Sequence, residues 1–135
     1  MRNINKIIVH CSATPEGRDI SADTIDKWHK ERGWSGIGYH YVIKLDGSIE
    51  YGRDINKTGA HVKGQNKGSI GICYIGGCDS AMDAKDTRTP EQKESLLLLL
   101  KTLKKMHPVA TIHGHNEFSS KACPSFDAYN EYCNI

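Results

Sequence analysis

Residues 69–77, SIGICYIGG, are the one stretch of this 135-residue chain that is apolar almost without a break. A strand with one wet face alternates apolar and polar residues, whereas a run of this kind suits a strand covered on both faces. It therefore predicts the centre of a sheet with helices on either side, and Cys73 within it as a small buried hydrophobe.

The flanking segments supply those layers. Residues 6–12, KIIVHCS, are a β-branched run that predicts an inner strand, with His10 at the C-terminal end where open α/β sheets gather ligand-binding groups. Residues 21–32 predict a helix with Ser21 as N-cap, Ile20 and Ile25 as a hydrophobic staple, Trp28 turned to the sheet and His29 solvated. Residues 38–53 alternate around Asp46-Gly47, which predicts a hairpin with a type I′ turn and puts Tyr39, Tyr41, Ile43 and Leu45 on one face. Residues 54–68 lack periodicity and predict a long loop whose one strong chemical group is His61. Thr89 and Gln92 form a capping box for a helix over 89–106 that buries Leu96, Leu99, Leu100 and Leu103. A strand over 109–115 follows, then a short helix over 124–132 with Phe126 and Tyr129 on one face. The order strand, helix, hairpin, strand, helix, strand, helix predicts one α/β domain, residues 1–135, with a mixed central β-sheet flanked by helices.

Composition narrows the function mainly by exclusion. With 18 basic and 16 acidic residues and no Lys/Arg block, the chain shows no nucleic-acid patch. Five scattered cysteines, an odd number, do not make a disulfide framework and suggest a reducing compartment of synthesis. The five leucines at 96–100 are too few to cross a bilayer, and the first residues lack the apolar core of a secretory signal. The expectation is a monomer made in the cytoplasm, without a membrane partner.

Residues 112–126, IHGHNEFSSKACPSF, concentrate the chemistry. His113 and His115 are two apart at a strand end, so one of them is a candidate metal ligand. Cys123 precedes Pro124, a favoured first residue of a helix, which would place the thiol where a helix N-terminus lowers its pKa. With His10, these residues offer two imidazoles and a thiolate, a three-donor zinc set that leaves a fourth position for water, as catalytic sites do. No HExxH helix is present, and a lysine two residues before the thiol suits an oxyanion.

The segments IVHCSAT (8–14), GYHYVIKLDG (38–47), GRD (52–54), GAHVKGQNKGSIGICYIGG (59–77) and KACPSFD (121–127) together resemble the zinc-dependent N-acetylmuramoyl-L-alanine amidases of the phage T7 lysozyme type, a group related to the peptidoglycan recognition proteins. The resemblance runs in order along nearly the whole chain. It implies a mixed sheet with a zinc site in a surface groove, and hydrolysis of the amide between the muramic acid lactyl group and L-alanine of peptidoglycan, as in a phage or prophage endolysin that reaches the wall through another factor. It implies His10, His115 and Cys123 as ligands of one Zn2+, Tyr39 and Lys121 as catalytic residues, and His61 and Asn66 as lining of the substrate groove, with His113 a neighbour only. RNA polymerase binding, a second activity within this type, runs through an arm before the first strand that is shorter here, and its carry-over is not expected. The remaining alternative is a peptidoglycan-binding module without catalysis, against which Cys123 argues.

Overall fold

The computed structural model describes residues 2–135. Its five-stranded sheet comprises β1 (Lys6–Cys11), β3 (Tyr41–Ile43), β4 (Ile49–Tyr51), β5 (Ser69–Tyr74) and β7 (Thr111–Gly114), in the order β4-β3-β5-β1-β7. Only the β3–β4 hairpin is antiparallel; β3, β5, β1 and β7 run parallel. Every residue of β5 is buried, as its unbroken apolar run requires of the central strand. A two-stranded ribbon, β2 (Thr14–Pro15) with β6 (Gly77–Cys78), extends β1 and β5. Among the described residues no helix is long and apolar enough to cross a membrane.

Two cores cover the two faces. On one, helix α2 (Pro90–Met106) lays Leu96, Leu99, Leu100 and Leu103 against Ile7, Val9, Ile70 and Ile72, each fully buried leucine contributing roughly 1.5–3 kcal/mol. The Thr89–Gln92 capping box forms, and the Gln92 amide then reaches into the sheet to donate to the carbonyls of Ile43 and Ile75. On the other face α1 (Ala22–Glu31), capped by Ser21, packs Ile25 and its staple partner Ile20 against Val42 and Cys73. Helix α3 (Ala128–Tyr132) closes the α2 side.

Three expectations are corrected. A type I′ turn needs positive φ at both central residues, but in the hairpin only Gly47 has it (φ 86°). Lys44 N–H donates to Ser48 and Gly47 N–H to Lys44, giving a longer loop that ends on a left-handed glycine; a side chain there would also strike the Glu91 carbonyl at 2.8 Å. The strand spans only Tyr41–Ile43, so the alternation breaks on both sides of it: Tyr39 and Leu45 pack with Val42 on the α1 side, while Tyr41 and Ile43 face α2. His29 is buried, not solvated. Its Nδ1 accepts the Gly38 N–H at 2.9 Å and its ring packs on Trp34 and Tyr39, tying α1 to the segment that carries Tyr39.

Burial, aided by Arg32 and Arg53, pushes His29 down to about 4 from 6.5. The unfolded chain thus binds a proton that the native state refuses, so this group's contribution is complete above pH 6.5 and drains as pH falls toward 4. His29→Asn, whose amide oxygen can accept the Gly38 N–H, is expected to shrink the loss of urea midpoint between pH 7 and 5, measured in chelator. An unchanged pH slope would remove His29 from the account.

Candidate metal centre

Because β1 and β7 are parallel neighbours, their C-terminal ends lie on the same edge of the sheet. His10 is the second-last residue of β1, and its parity turns it to the side opposite Val9 and Cys11. His115 follows β7 directly and opens the 3-10 turn His115–Glu117. Their rings are 4.7 Å apart, and Cys123 Sγ lies 3.9 Å from His10 Nδ1. One ligand atom from each of His10, His115 and Cys123 falls within 4.8 Å of the others, the cluster among the described residues able to hold a metal ion.

The hydrogen bonds set the tautomers. Ser69 Oγ donates to the Asn66 carbonyl, so it accepts from His61 Nε2 at 3.1 Å. His61 Nδ1 is then an acceptor and takes the Nε2 proton of His10 at 2.8 Å, which leaves the His10 Nδ1 lone pair facing Cys123 and His115. Burial holds this chain neutral: His10 is depressed well below the usual imidazole range by desolvation and then by His61 and His115, and His61 is pushed down to about 3. The His61 ring packs against Gly71, where any side chain would meet it at 2.7 Å. His61 is therefore a buried support of His10, a role its position in a loop did not suggest.

Cys123 corrects a further expectation. No helix starts at Pro124; the next helix is capped by Asp127, and Phe126 stays outside it, packed on Tyr74 and Tyr132 while Tyr129 lies over His113. The backbone N–H reaching Cys123 Sγ comes instead from Cys11, at 3.2 Å. Hydrogen bonding to the Cys11 thiol and burial push the Cys123 thiol up, so a bound cation, not a helix dipole, would be what deprotonates it. His113 is not in the cluster: it bonds Thr111 and Glu117, and Glu117 also accepts the Gly114 N–H, which braces the turn presenting His115.

Through His115 the cluster borders a groove of about 470 Å³ lined also by Trp34, His61, Asn66, Phe118 and Lys121, among others. Lys121 is exposed, and its charge, after burial, depresses His115. Asn66 Oδ1 accepts the N–H groups of His61 and Val62, shaping the wall rather than projecting from it. Tyr39 packs its ring 5.0 Å from His10, and burial raises its phenol well above its usual range, which keeps it a donor. Trp34, Phe118 and the bracing Glu117 were not legible as site residues; each sits in a stretch whose local pattern is that of an ordinary turn.

Two imidazoles at the ends of β1 and β7 and one thiol from the loop beyond β7 are a donor set that could hold a metal ion, with three protein ligands where a structural site would enclose four. Residues 1–126 match the N-acetylmuramoyl-L-alanine amidase family, and the chain belongs to it. It is 46% identical over 121 residues to the endolysin of Escherichia phage T7, covering 90% of this chain and 80% of that one. Among solved structures it resembles the N-acetylmuramoyl-L-alanine amidase LysC of Clostridium intestinale, at 31% identity and TM-score 0.82 over 98% of this chain and 84% of LysC. It also resembles the ectodomain complex of peptidoglycan recognition proteins LCa and LCx bound to tracheal cytotoxin, at 28% identity and TM-score 0.78, covering 97% and 81%.

Proposed function

We propose that this chain is a zinc-dependent N-acetylmuramoyl-L-alanine amidase of the endolysin kind, acting on the bacterial wall. It cleaves the amide between the lactyl group of muramic acid and the L-alanine of the stem peptide. The observation that carries the reading is the convergence of His10 Nδ1, His115 and Cys123 Sγ within 4.8 Å, with His115 lining the groove. The donor chemistry fits zinc: two imidazoles held neutral by burial and one thiol that a cation can deprotonate.

A zinc ion held by those three residues supplies Lewis acidity and makes water nucleophilic near neutral pH. The rest is done by the chain. Water oxygen adds to the lactyl carbonyl carbon, the C–N bond breaks, and both water protons end on the leaving nitrogen, so the products are a lactyl carboxylate and an L-alanine ammonium. Tyr39, kept a neutral phenol, donates a hydrogen bond to the oxygen that gains charge, and the Lys121 ammonium at the groove rim stabilises the same charge. His61, through its bond to His10, and Asn66, through the backbone of residues 61 and 62, hold the wall of the groove against which the stem peptide lies. Lys63 and Lys121 give the groove a positive lining suited to the carboxylates of a stem peptide.

Zinc-loaded protein incubated with purified sacculi is expected to release new L-alanine amino termini, to stop when a chelator is added and to resume when zinc is returned. Labelling the termini chemically reads the outcome. Muropeptide binding without new termini would leave only a binding module.

A further inference from the structure

Residues 118–127 carry Lys121 and Cys123 without a helix or strand; a local turn, Ser125 N–H to the Ala122 carbonyl at 2.7 Å, closes around Cys123, and tertiary contacts must fix where that turn sits. Three of them do so just beyond Cys123. The Tyr74 hydroxyl donates to the Pro124 carbonyl at 2.6 Å and Ser125 Oγ to the Gly77 carbonyl at 2.8 Å. The third is the Phe126 ring, which lies against the guanidinium of Arg88 with its carbon 3.5 Å from the ring centroid.

Arg88 is unusual for a cation. Its side chain is 2% exposed, it does not line the groove, and all five of its N–H donors are matched. Nε donates to Asp86 Oδ1 at 2.9 Å, and Nη2 to Asp86 Oδ2 at 2.8 Å and Glu131 Oε1 at 2.9 Å. Nη1 donates to Glu131 Oε2 at 2.8 Å and to the Tyr132 hydroxyl at 2.7 Å. Rotating the plane would leave a buried charged donor unpaired, so the guanidinium has one orientation and offers Phe126 one seat. A buried ion cluster is a weak source of net stability, because an apolar cluster of similar volume does as well. What this one adds is a defined direction. We propose that Arg88 is a positioning residue for the metal centre: by seating Phe126 three residues past Cys123, it fixes the ligand loop so that Sγ stays within reach of His10 Nδ1.

This rests on the zinc reading above, and the test separates the two. Zinc affinity is measured by chelator competition, and the sulfur-to-metal charge-transfer band of cobalt-loaded protein reports the Cys123 thiolate. Arg88→Lys, which keeps the charge but loses the fork, and Phe126→Leu are each expected to bind zinc about 10–100-fold more weakly and to shift or weaken the band. Leu99→Ala, destabilised by a core cavity alone, is expected to keep both at wild-type values. Folded Arg88→Lys with wild-type affinity and band overturns the proposal. Should that variant not fold, Phe126→Leu, which leaves the ion cluster in place, decides by the same criterion. Wild-type protein that binds no zinc overturns the metal reading and the proposal with it, a result distinct from tight binding in wild type and variants alike.

Discussion

Cys123→Ser is expected to lose stoichiometric zinc and to lower kcat/KM on sacculi by on the order of 10³-fold or more, the scale that goes with removing an activated water. A serine hydroxyl does not ionise near neutral pH, so the site would keep two neutral imidazoles and lose the anion that anchors the cation. The fold should not suffer in proportion. The Cys11 N–H that now points at Sγ can be met by a hydroxyl, and the Pro124, Ser125 and Phe126 contacts do not involve the thiol. Urea unfolding in chelator is therefore expected to match wild type within about 1 kcal/mol. Metal analysis on the purified variant is the direct check, and one retained zinc per chain would refute the ligand assignment.

Tyr39→Phe should separate chemistry from metal binding. The ring keeps its packing on His10 and His29, so zinc content should remain near one per chain. Only the phenol hydroxyl is lost. If the phenol donates to the developing oxyanion as proposed, its removal costs about 10²–10³ in kcat, and KM should change little because the ground-state carbonyl uses that donor weakly. Since burial raises the phenol well above its usual range, the alkaline limb of the rate profile should not belong to Tyr39. Unchanged kcat in the zinc-loaded variant would assign the residue to packing alone.

The features legible in the chain were those decided within a few residues. The caps of α1 and α2 depend on Ser21 and on Thr89 with Gln92, and the leucine stripe on a 3.6-residue period. The covered centre of the sheet follows from the composition of one strand. The candidate ligand residues stood out because of their type and, above all, because five ordered blocks resemble one family.

Misread features were those whose local signal is ambiguous until another segment arrives. Asp46-Gly47 suits several turns, and the approach of α2 at Glu91 joins the strand register in selecting one with a left-handed glycine. Cys123-Pro124 has the form of a helix start, yet its carbonyl is taken by Tyr74 and its chain direction by Phe126 on Arg88. His29 and His61 stand in helix and loop contexts that normally face water, and only the folded chain encloses them.

Residues 69–77 by themselves determined a buried central strand, and hence a layered α/β domain, because an unbroken apolar run has no wet face to offer. What they could not determine is which polar groups meet at the strand ends. His10, His61, His115 and Cys123 are separated by up to 113 positions in sequence, and no local preference links them. Tertiary structure decided that meeting, since parallel pairing of β1 with β7 brings two histidines to one edge, and a loop held from outside the groove delivers the thiol.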